Sequence, residues 1–187
     1  MKAANAITLG RLGLVAGAFA LLAARPDVER GAFAGDWPMF ALLLTASVTD
    51  CLDGWVARHY GQTSIVGRIL DPFVDKALIC GSLVLFLGVR EVAAILPAWI
   101  VVVVLTREFL VQSLRAMSEA QGKSFAADLF AKWKMTFQAV WVQALAAYLC
   151  GWDVMLPVAT WCMWIALAFT VLSGANYVRR AWGILDW

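Results

Sequence analysis

Four aspartates, Asp50, Asp53, Asp71 and Asp75, lie in one short stretch (49–76) of a chain that is otherwise apolar. An unpaired aspartate in the middle of a membrane helix costs about 2.5–3.5 kcal/mol on insertion scales, and less near the interface. Four carboxylates close together also repel one another, so the stretch needs compensating positive charge. Ligands that are all oxygen favour hard ions such as Mg²⁺, Mn²⁺ or Ca²⁺ over zinc. The residue types therefore predict a divalent-cation site.

The spacing of the four aspartates supports this prediction. Asp50 and Asp53 are three residues apart and share one face of a helix, whereas Asp71 and Asp75 are four apart and share a face of the next helix. A short connection makes consecutive helices antiparallel neighbours. We therefore expect the two pairs of carboxylates to converge.

Two glycines and three basic residues lie around these faces. Gly54 and Gly67 would let a backbone or a substrate approach closely. The alternative interpretation is that the carboxylates form interfacial ion pairs with Arg58, Arg68 and Lys76. Carboxylates at ordinary solvated helix ends do not need to share one face of each helix. The shared faces therefore favour the metal site.

The elements that position these residues are predicted to be membrane-spanning helices. Of the 187 residues, 63% are hydrophobic and 15% are charged, and the mean hydropathy is +0.77. This composition excludes an ordinary soluble domain and is typical of a polytopic membrane protein. Crossing the hydrocarbon core takes about 20 apolar residues. The sequence predicts one all-α domain over residues 1–187 with six transmembrane helices, at roughly 5–24, 38–58, 72–89, 93–117, 134–151 and 155–178.

Two details of this prediction depend on single positions. Pro72 suits the first turn of the third helix, where its missing N–H costs nothing. The first segment, 5–24, also resembles a signal peptide, but its length and the presence of Arg11 within it favour a retained helix.

The distribution of Lys and Arg predicts the orientation in the membrane. Arg25, Arg30 and Arg90 would lie outside, and all other Lys and Arg residues would lie toward the cytoplasm. Both termini are then cytoplasmic, and the aspartates lie at the cytoplasmic ends of the second and third helices. We expect a multi-pass protein of the inner membrane whose active site faces the cytoplasm.

Charge and cysteine content exclude other classes of site. A net charge of +2 is too small to indicate a surface that binds nucleic acid. The four cysteines are far apart and show no metal-ligand spacing, which argues against a disulfide framework or a zinc site. A divalent-cation transporter is a remote alternative, because transport sites usually lie near the bilayer midplane on interrupted helices.

The acidic stretch carries eight specified residues at fixed spacing, Asp50-x₂-Asp53-Gly54-x₂-Ala57-Arg58-x₈-Gly67-x₃-Asp71-x₃-Asp75. This motif resembles the signature of the CDP-alcohol phosphatidyltransferase family at every fixed position. The resemblance implies an integral membrane fold with six transmembrane helices, usually as a homodimer. It also implies transfer of a phosphatidyl group from a CDP-linked lipid to an alcohol, with release of CMP.

The resemblance also implies a role for each matching position. The four aspartates would hold two divalent cations, Mg²⁺ or Mn²⁺, against the CDP diphosphate. Asp75 would in addition act as the general base that deprotonates the acceptor hydroxyl. The CDP moiety would be bound by Asp50, Asp53, Gly54, Ala57, Arg58, Gly67 and Asp71.

Looser motifs elsewhere bear on the acceptor alcohol. Arg107-Glu108, Leu114-Arg115 and the run 131–138 are similar to runs in the phosphatidylglycerophosphate synthases of that family, as are Asn5, Thr8 and Arg11. Ala131 and Met135 stand where those enzymes often have Gly and Thr. The resemblance implies CDP-diacylglycerol as donor and sn-glycerol 3-phosphate as acceptor, with inositol phosphate, serine or phosphatidylglycerol as alternative acceptors.

Four basic residues, Arg107, Arg115, Lys132 and Lys134, are candidates to bind the acceptor phosphate. Guanidinium groups bind phosphate in bidentate fashion, and all four residues are predicted to lie toward the cytoplasm. The alternative for the two lysines is that their charge only sets the orientation in the membrane. The alternative for Arg107 is a structural pair with Glu108.

Overall fold

The computed structural model describes the backbone of residues 3–60, 65–122 and 129–184, and the side chains of residues 8–49, 70, 72–122 and 129–183. Every regular element within these ranges is helical, which confirms the all-α prediction for this part of the chain. The elements are α1 (Ala3–Ala23), α2 (Asp36–Tyr60), α3 (Ile65–Lys76), a π-helical segment (Ala77–Gly81), α4 (Ser82–Phe86), α5 (Arg90–Ala93), α6 (Ala98–Ala120), α7 (Leu129–Leu149) and α8 (Met155–Ile184).

The third helix differs from its prediction. It begins at Ile65, seven residues before the predicted start, and runs through the π-helical segment into α4 without a break. Pro72 therefore lies inside α3 and not in its first turn, so that prediction was wrong. Proline lacks the N–H that would bond to the carbonyl four residues earlier, and its cost inside a helix is offset by packing of the helix around it. Val74 and Leu78, which flank this part of the helix, are both buried.

The fourth long helix also begins at a different residue. Pro97 takes an extended conformation at the N-cap of α6, so the helix starts at Ala98 and not at residue 93. The residues before it form the separate short helix α5. Proline at a helix start loses nothing by lacking an N–H, which explains why the helix begins there.

Two glycines end helices α6 and α7. Gly122 and Gly151 have φ values of +68° and +93°, which L residues with a Cβ rarely adopt. Their amides bond back to the carbonyls of Glu119 and Tyr148, respectively. Glycine in this conformation is a common C-terminal stop, so both helix ends follow from the sequence.

Among the described residues, two of the three clusters of buried apolar side chains join several helices, and the third pairs Leu114 of α6 with Ala181 of α8. The larger cluster joins α1, α2, α4, α6, α7 and α8, and Trp141 and Phe86 are among its largest members. The smaller cluster, Val15, Ala46 and Val74 with Leu78, joins α1 to α2, α3 and the π-helical segment. Helix α1 therefore lies against both helices that carry the aspartates.

The outer surface of the helices carries large apolar side chains. Phe109, Trp161 and Trp182 are 68–71% exposed. Within the described residues one helix, Met155–Gly183, is long and apolar enough to cross a membrane on length and composition. Extended apolar surface of this kind is a mark of a membrane or protein contact.

Candidate active site

The smaller apolar cluster joins both acidic helices to α1. Ala46 lies one helical turn before Asp50 on α2, and Val74 directly precedes Asp75 on α3. Both residues are completely buried in the same cluster, which also includes Val15 of α1. The start of the acidic stretch on α2 and its end on α3 therefore both pack on α1.

Of the four aspartates in the acidic stretch, Asp75 has a side chain that the structure describes. It faces a buried arginine. One carboxylate oxygen lies 3.2 Å from Nη2 of Arg11 on α1. The Arg11 side chain is 2% exposed and that of Asp75 is 28% exposed. A desolvated guanidinium compensates the charge of Asp75, whose side chain remains partly exposed. Sequence reasoning found Arg11 only as part of a motif and not as the partner of Asp75.

The other predicted donor-side residues lie on α2 and α3, where the structure describes the backbone alone. Their helical phase is as predicted, with Asp50 and Asp53 three apart on α2. Their side chains lie outside the described residues, so their proposed roles stay predictions. These residues are Asp50, Asp53, Gly54, Ala57, Arg58, Gly67 and Asp71.

A polar contact links the acidic stretch to α6. Nζ of Lys76, the residue after Asp75, donates a hydrogen bond to Oε1 of Gln112. Gln112 lies between Arg107 and Arg115 on α6. The basic residues of α6 therefore border the end of the acidic stretch, a contact that the sequence alone did not predict.

Arg107, Glu108 and Lys134 form a buried ionic network between α6 and α7. Glu108 accepts a hydrogen bond from Nζ of Lys134, and its Oε1 lies 3.1 Å from Nη1 of Arg107. All three residues are at least 90% buried. The structural pair considered for Arg107 is therefore present, and Lys134 shares the same carboxylate.

Helix α8 completes the surroundings of Arg107. Nη2 of Arg107 donates to Oγ of Ser173 at 2.9 Å, and Ser173 in turn donates to the carbonyl of Thr170. Gly174 leaves room for the arginine stem, because a Cβ built there would lie 3.2 Å from Cγ of Arg107. Tyr177 lies one turn further along and contacts the arginines of α6 through its ring.

The structure thus brings three of the four predicted acceptor residues together. Arg115 is exposed and donates through Nη2 to the hydroxyl of Tyr177. Lys132 is exposed, and it lies two residues before the buried Lys134, a spacing that puts the two lysines on different faces of α7. We name Arg107, Arg115 and Lys134, with the carboxylate of Glu108, the basic cluster.

The basic cluster carries more positive than negative charge. Arg107 and Lys134 share the single carboxylate of Glu108, and Arg115 adds a third positive charge beside Tyr177. Excess positive charge that is partly removed from water is costly unless an anion compensates it. The arrangement therefore suits the binding of an anionic group.

Sequence reasoning missed the residues of α8. Thr170, Ser173 and Tyr177 follow one another at spacings of three and four in an apolar helix, so they lie on one face. Polar residues inside an apolar span commonly mark a functional face. The spacing of these polar residues was visible in the sequence. Their contacts with the arginines of α6 could not be predicted from it.

Comparison with known proteins identifies the family. The model of the CDP-alcohol phosphatidyltransferase family matches residues 1–172.

The chain belongs to the CDP-alcohol phosphatidyltransferase family. It is 34% identical over 145 residues to the CDP-diacylglycerol–glycerol-3-phosphate 3-phosphatidyltransferase of Bacillus subtilis (strain 168), covering 77% of this chain and 73% of that protein. It is 32% identical over 184 residues to the enzyme of the same name from Cereibacter sphaeroides, covering 78% and 82%. A probable phosphatidylglycerophosphate synthase of Mycobacterium tuberculosis is 36% identical over 145 residues, covering 78% and 65%.

Family membership agrees with the position of the aspartate motif on α2 and α3. The matched region includes both acidic helices and the whole basic cluster. Within the matched region the acidic stretch lies on α2 and α3, and the cationic side chains lie on α6 and α7.

Proposed function

We propose that this protein transfers the phosphatidyl group of CDP-diacylglycerol to sn-glycerol 3-phosphate, giving phosphatidylglycerophosphate and CMP. The observation that carries the proposal is the contact between Lys76 and Gln112, because it joins the end of the acidic stretch to the helix that bears Arg107 and Arg115. An enzyme that joins a diphosphate donor to a phosphorylated acceptor needs both features side by side. The names of the relatives from Bacillus subtilis and Cereibacter sphaeroides support the same donor and acceptor.

The acidic residues suit two divalent cations, Mg²⁺ or Mn²⁺. Asp50, Asp53, Asp71 and Asp75 supply carboxylate oxygens alone, which is the donor set that hard cations prefer. Asp75 is partly exposed, so its carboxylate is open to a ligand. When bound, the cations would neutralise charge on the diphosphate and on the leaving CMP.

Gly54, Ala57, Arg58 and Gly67 are proposed to line the CDP pocket beside the aspartates. The two glycines remove side chains from the helix faces that carry the carboxylates, and Arg58 offers positive charge to a phosphate. Asp50, Asp53 and Asp71 would contact the same CDP moiety.

The basic cluster is proposed to bind the phosphate of the acceptor. Arg107, Arg115 and Lys134 supply the positive charge, and the exposed Lys132 is placed to attract the anion toward the site. Binding the phosphate here would direct the acceptor's primary hydroxyl toward α3, because Gln112, between Arg107 and Arg115 on α6, contacts Lys76, the residue next to Asp75.

In the reaction, Asp75 would accept the proton of the primary hydroxyl of sn-glycerol 3-phosphate. The resulting oxygen nucleophile attacks the β-phosphorus of CDP-diacylglycerol. A new P–O bond forms to the acceptor, and the bond to the oxygen shared with the α-phosphorus breaks. The electron pair of that bond leaves on CMP. Arg11 holds the Asp75 carboxylate at 3.2 Å and limits its rotamers during this step.

The proposal extends to the setting of the enzyme. We propose one domain over residues 1–187, six membrane spans with both termini in the cytoplasm, and a homodimer in the inner membrane whose active site faces the cytoplasm. The exposed apolar side chains and the apolar helix Met155–Gly183 support burial in lipid. Arg25, Arg30 and Arg90, predicted to lie outside, form ion pairs at the opposite helix ends from the basic cluster.

The proposal is tested by assaying CMP release from CDP-diacylglycerol by detergent-purified protein with Mg²⁺ or Mn²⁺. An acceptor panel of sn-glycerol 3-phosphate, inositol phosphate, serine and phosphatidylglycerol identifies the substrate. We expect release with sn-glycerol 3-phosphate, and little with the others. Release with a different member of the panel would assign the protein to another acceptor, and no release with any alcohol would contradict the enzyme itself.

A further inference from the structure

Tyr177 on α8 is fully buried, and both arginines of the basic cluster lie against its ring. The ζ carbon of Arg115 lies 5.1 Å from the ring centroid and that of Arg107 lies 5.8 Å from it. Both distances fall within the range of about 6 Å over which a ring attracts a cation. Arg115 also donates a hydrogen bond to the tyrosine hydroxyl. A single side chain thus contacts two like charges.

The two arginines need such a contact because α6 does not bring them together by itself. Arg107 and Arg115 are eight residues apart, which is about 12 Å along a helix axis. Their long side chains are flexible, and their charges repel each other. The Tyr177 ring is rigid and lies near enough to attract both, so Tyr177 restricts where the two guanidinium groups can lie.

Both arginines keep donors for a further ligand. Arg107 uses Nη1 for Glu108 and Nη2 for Ser173, while its buried Nε has no hydrogen-bond acceptor among the described residues. Arg115 uses Nη2 for Tyr177 and is exposed to solvent. Guanidinium groups bind phosphate oxygens through paired N–H donors, so the two side chains held by Tyr177 can grip one phosphate.

We infer that Tyr177 is a positioning residue that holds Arg107 and Arg115 so that both bind the phosphate of the acceptor. The inference rests on the proposed function and adds to it the element that makes the enzyme prefer phosphorylated alcohols to uncharged ones. Ser173, one turn before Tyr177, holds the other side of the Arg107 guanidinium. Helix α8 thereby takes part in acceptor selection without touching the acceptor.

The test compares Tyr177→Phe and Tyr177→Leu with the wild-type enzyme. Phenylalanine removes the hydroxyl bonded to Arg115 and keeps the ring, whereas leucine removes both. We expect Tyr177→Phe to raise KM for sn-glycerol 3-phosphate about tenfold, the effect of losing one hydrogen bond to a charged group. We expect Tyr177→Leu to raise it further. KM for CDP-diacylglycerol should stay unchanged in Tyr177→Phe.

The matched control is Tyr148→Phe. Tyr148 on α7 is also buried, and an arginine lies over its ring as well. The ζ carbon of Arg30 is 4.0 Å from the ring centroid. It lies fourteen residues from Lys134, about 21 Å along the helix. Tyr148→Phe removes the same atom from a similar pair outside the site and should leave both KM values unchanged. Release of CMP with glycerol, which has no phosphate, should be equal in Tyr177→Phe and the wild type.

Equilibrium binding of sn-glycerol 3-phosphate, measured by calorimetry with CDP present, separates this inference from the proposed function. Weaker binding by Tyr177→Phe than by the wild type supports the positioning role, whether or not CMP is released. Equal binding by the two proteins, or an equal rise in both KM values, overturns it even if the wild type is an active synthase. A wild-type protein that neither binds nor uses this acceptor overturns both proposals.

Discussion

Glu108 on α6 accepts a hydrogen bond from Lys134 on α7, and both side chains are buried. The same carboxylate faces Arg107, so a single negative charge joins two cations from two helices. This relationship explains how strongly cationic side chains are held in an otherwise apolar region. It also leaves the basic cluster with positive charge to offer to a phosphate.

Glu108→Gln is expected to destabilise the protein. The substitution keeps the size of the side chain but leaves Arg107 and Lys134 buried without a counter-charge. Removing one partner of a buried ion pair costs about 3–5 kcal/mol. Thermal unfolding in detergent should therefore show a clearly lower midpoint. Glu119→Gln, an exposed glutamate on the same helix, is the control and should unfold like the wild type; equal midpoints for the two variants would contradict the role of Glu108.

Gly174→Leu is expected to weaken acceptor binding. A Cβ at this position would lie 3.2 Å from Cγ of Arg107, and a larger side chain would displace the arginine stem. Misplacing a binding group by about 1 Å can cost up to about a hundredfold, so we expect KM for sn-glycerol 3-phosphate to rise by tenfold or more. Gly183→Leu is the control on the same helix, because a Cβ there would meet no atom within 4 Å. Steady-state kinetics of both variants decide the point, and similar KM values in the two would refute it.

Asp36→Asn is expected to lower stability without changing substrate binding. Asp36 accepts a hydrogen bond from Nε of Arg25 at 2.9 Å, and the two side chains are 1% and 2% exposed. The pair lies at the end of α1 and the start of α2, away from the basic cluster. Loss of a buried charge partner should cost roughly 3 kcal/mol. Both KM values should stay at the wild-type level, and a raised KM for either substrate would contradict this separation of roles.

The exposed pair between Arg90 and Asp27 provides the comparison for Asp36→Asn. Its atoms are 3.6 Å apart, and the two side chains are 83% and 67% exposed. Surface pairs of this kind contribute at most about 1 kcal/mol. Arg90→Ala should therefore unfold close to the wild-type temperature.

Arg11→Met is expected to reduce turnover and to make the protein depend more on divalent cations for stability. Arg11 is the buried counter-charge of Asp75, and its loss leaves the acidic stretch without that compensation. The unfolding midpoint in EDTA should fall, and the rise on adding Mg²⁺ should be larger than in the wild type. Arg11→Lys keeps the charge and should behave more like the wild type. A Mg²⁺ effect of the same size in all three proteins would argue against a link between Arg11 and the metal site.

The sequence predicted the helices more reliably than their ends. Apolar runs of about 20 residues locate the helices, and the C-terminal stops at Gly122 and Gly151 follow from backbone conformation. The start at Ile65 was missed because Pro72 was placed in a first turn. Packing of Val74 and Leu78 in the core stabilises a helix that proline alone would weaken.

The candidate site was predictable only where its residues are close in sequence. The aspartate spacing on α2 and α3 depends on helical phase alone, and the positive charges on α6 and α7 were evident from composition. The contacts of Arg107 with Ser173 and of Arg115 with Tyr177 join residues more than sixty positions apart. Such pairings depend on which faces of α6 and α8 meet, and periodicity within one helix does not specify that.

The most direct measurement of the central claim is identification of the lipid product by mass spectrometry. Wild-type protein in vesicles that contain CDP-diacylglycerol is given sn-glycerol 3-phosphate with Mg²⁺ or with EDTA, alongside Asp75→Asn. We expect phosphatidylglycerophosphate and an equal amount of CMP from the wild type with Mg²⁺, and neither product with EDTA or from Asp75→Asn. Undiminished product in EDTA, or from Asp75→Asn, would contradict a metal-dependent transfer in which Asp75 takes the proton.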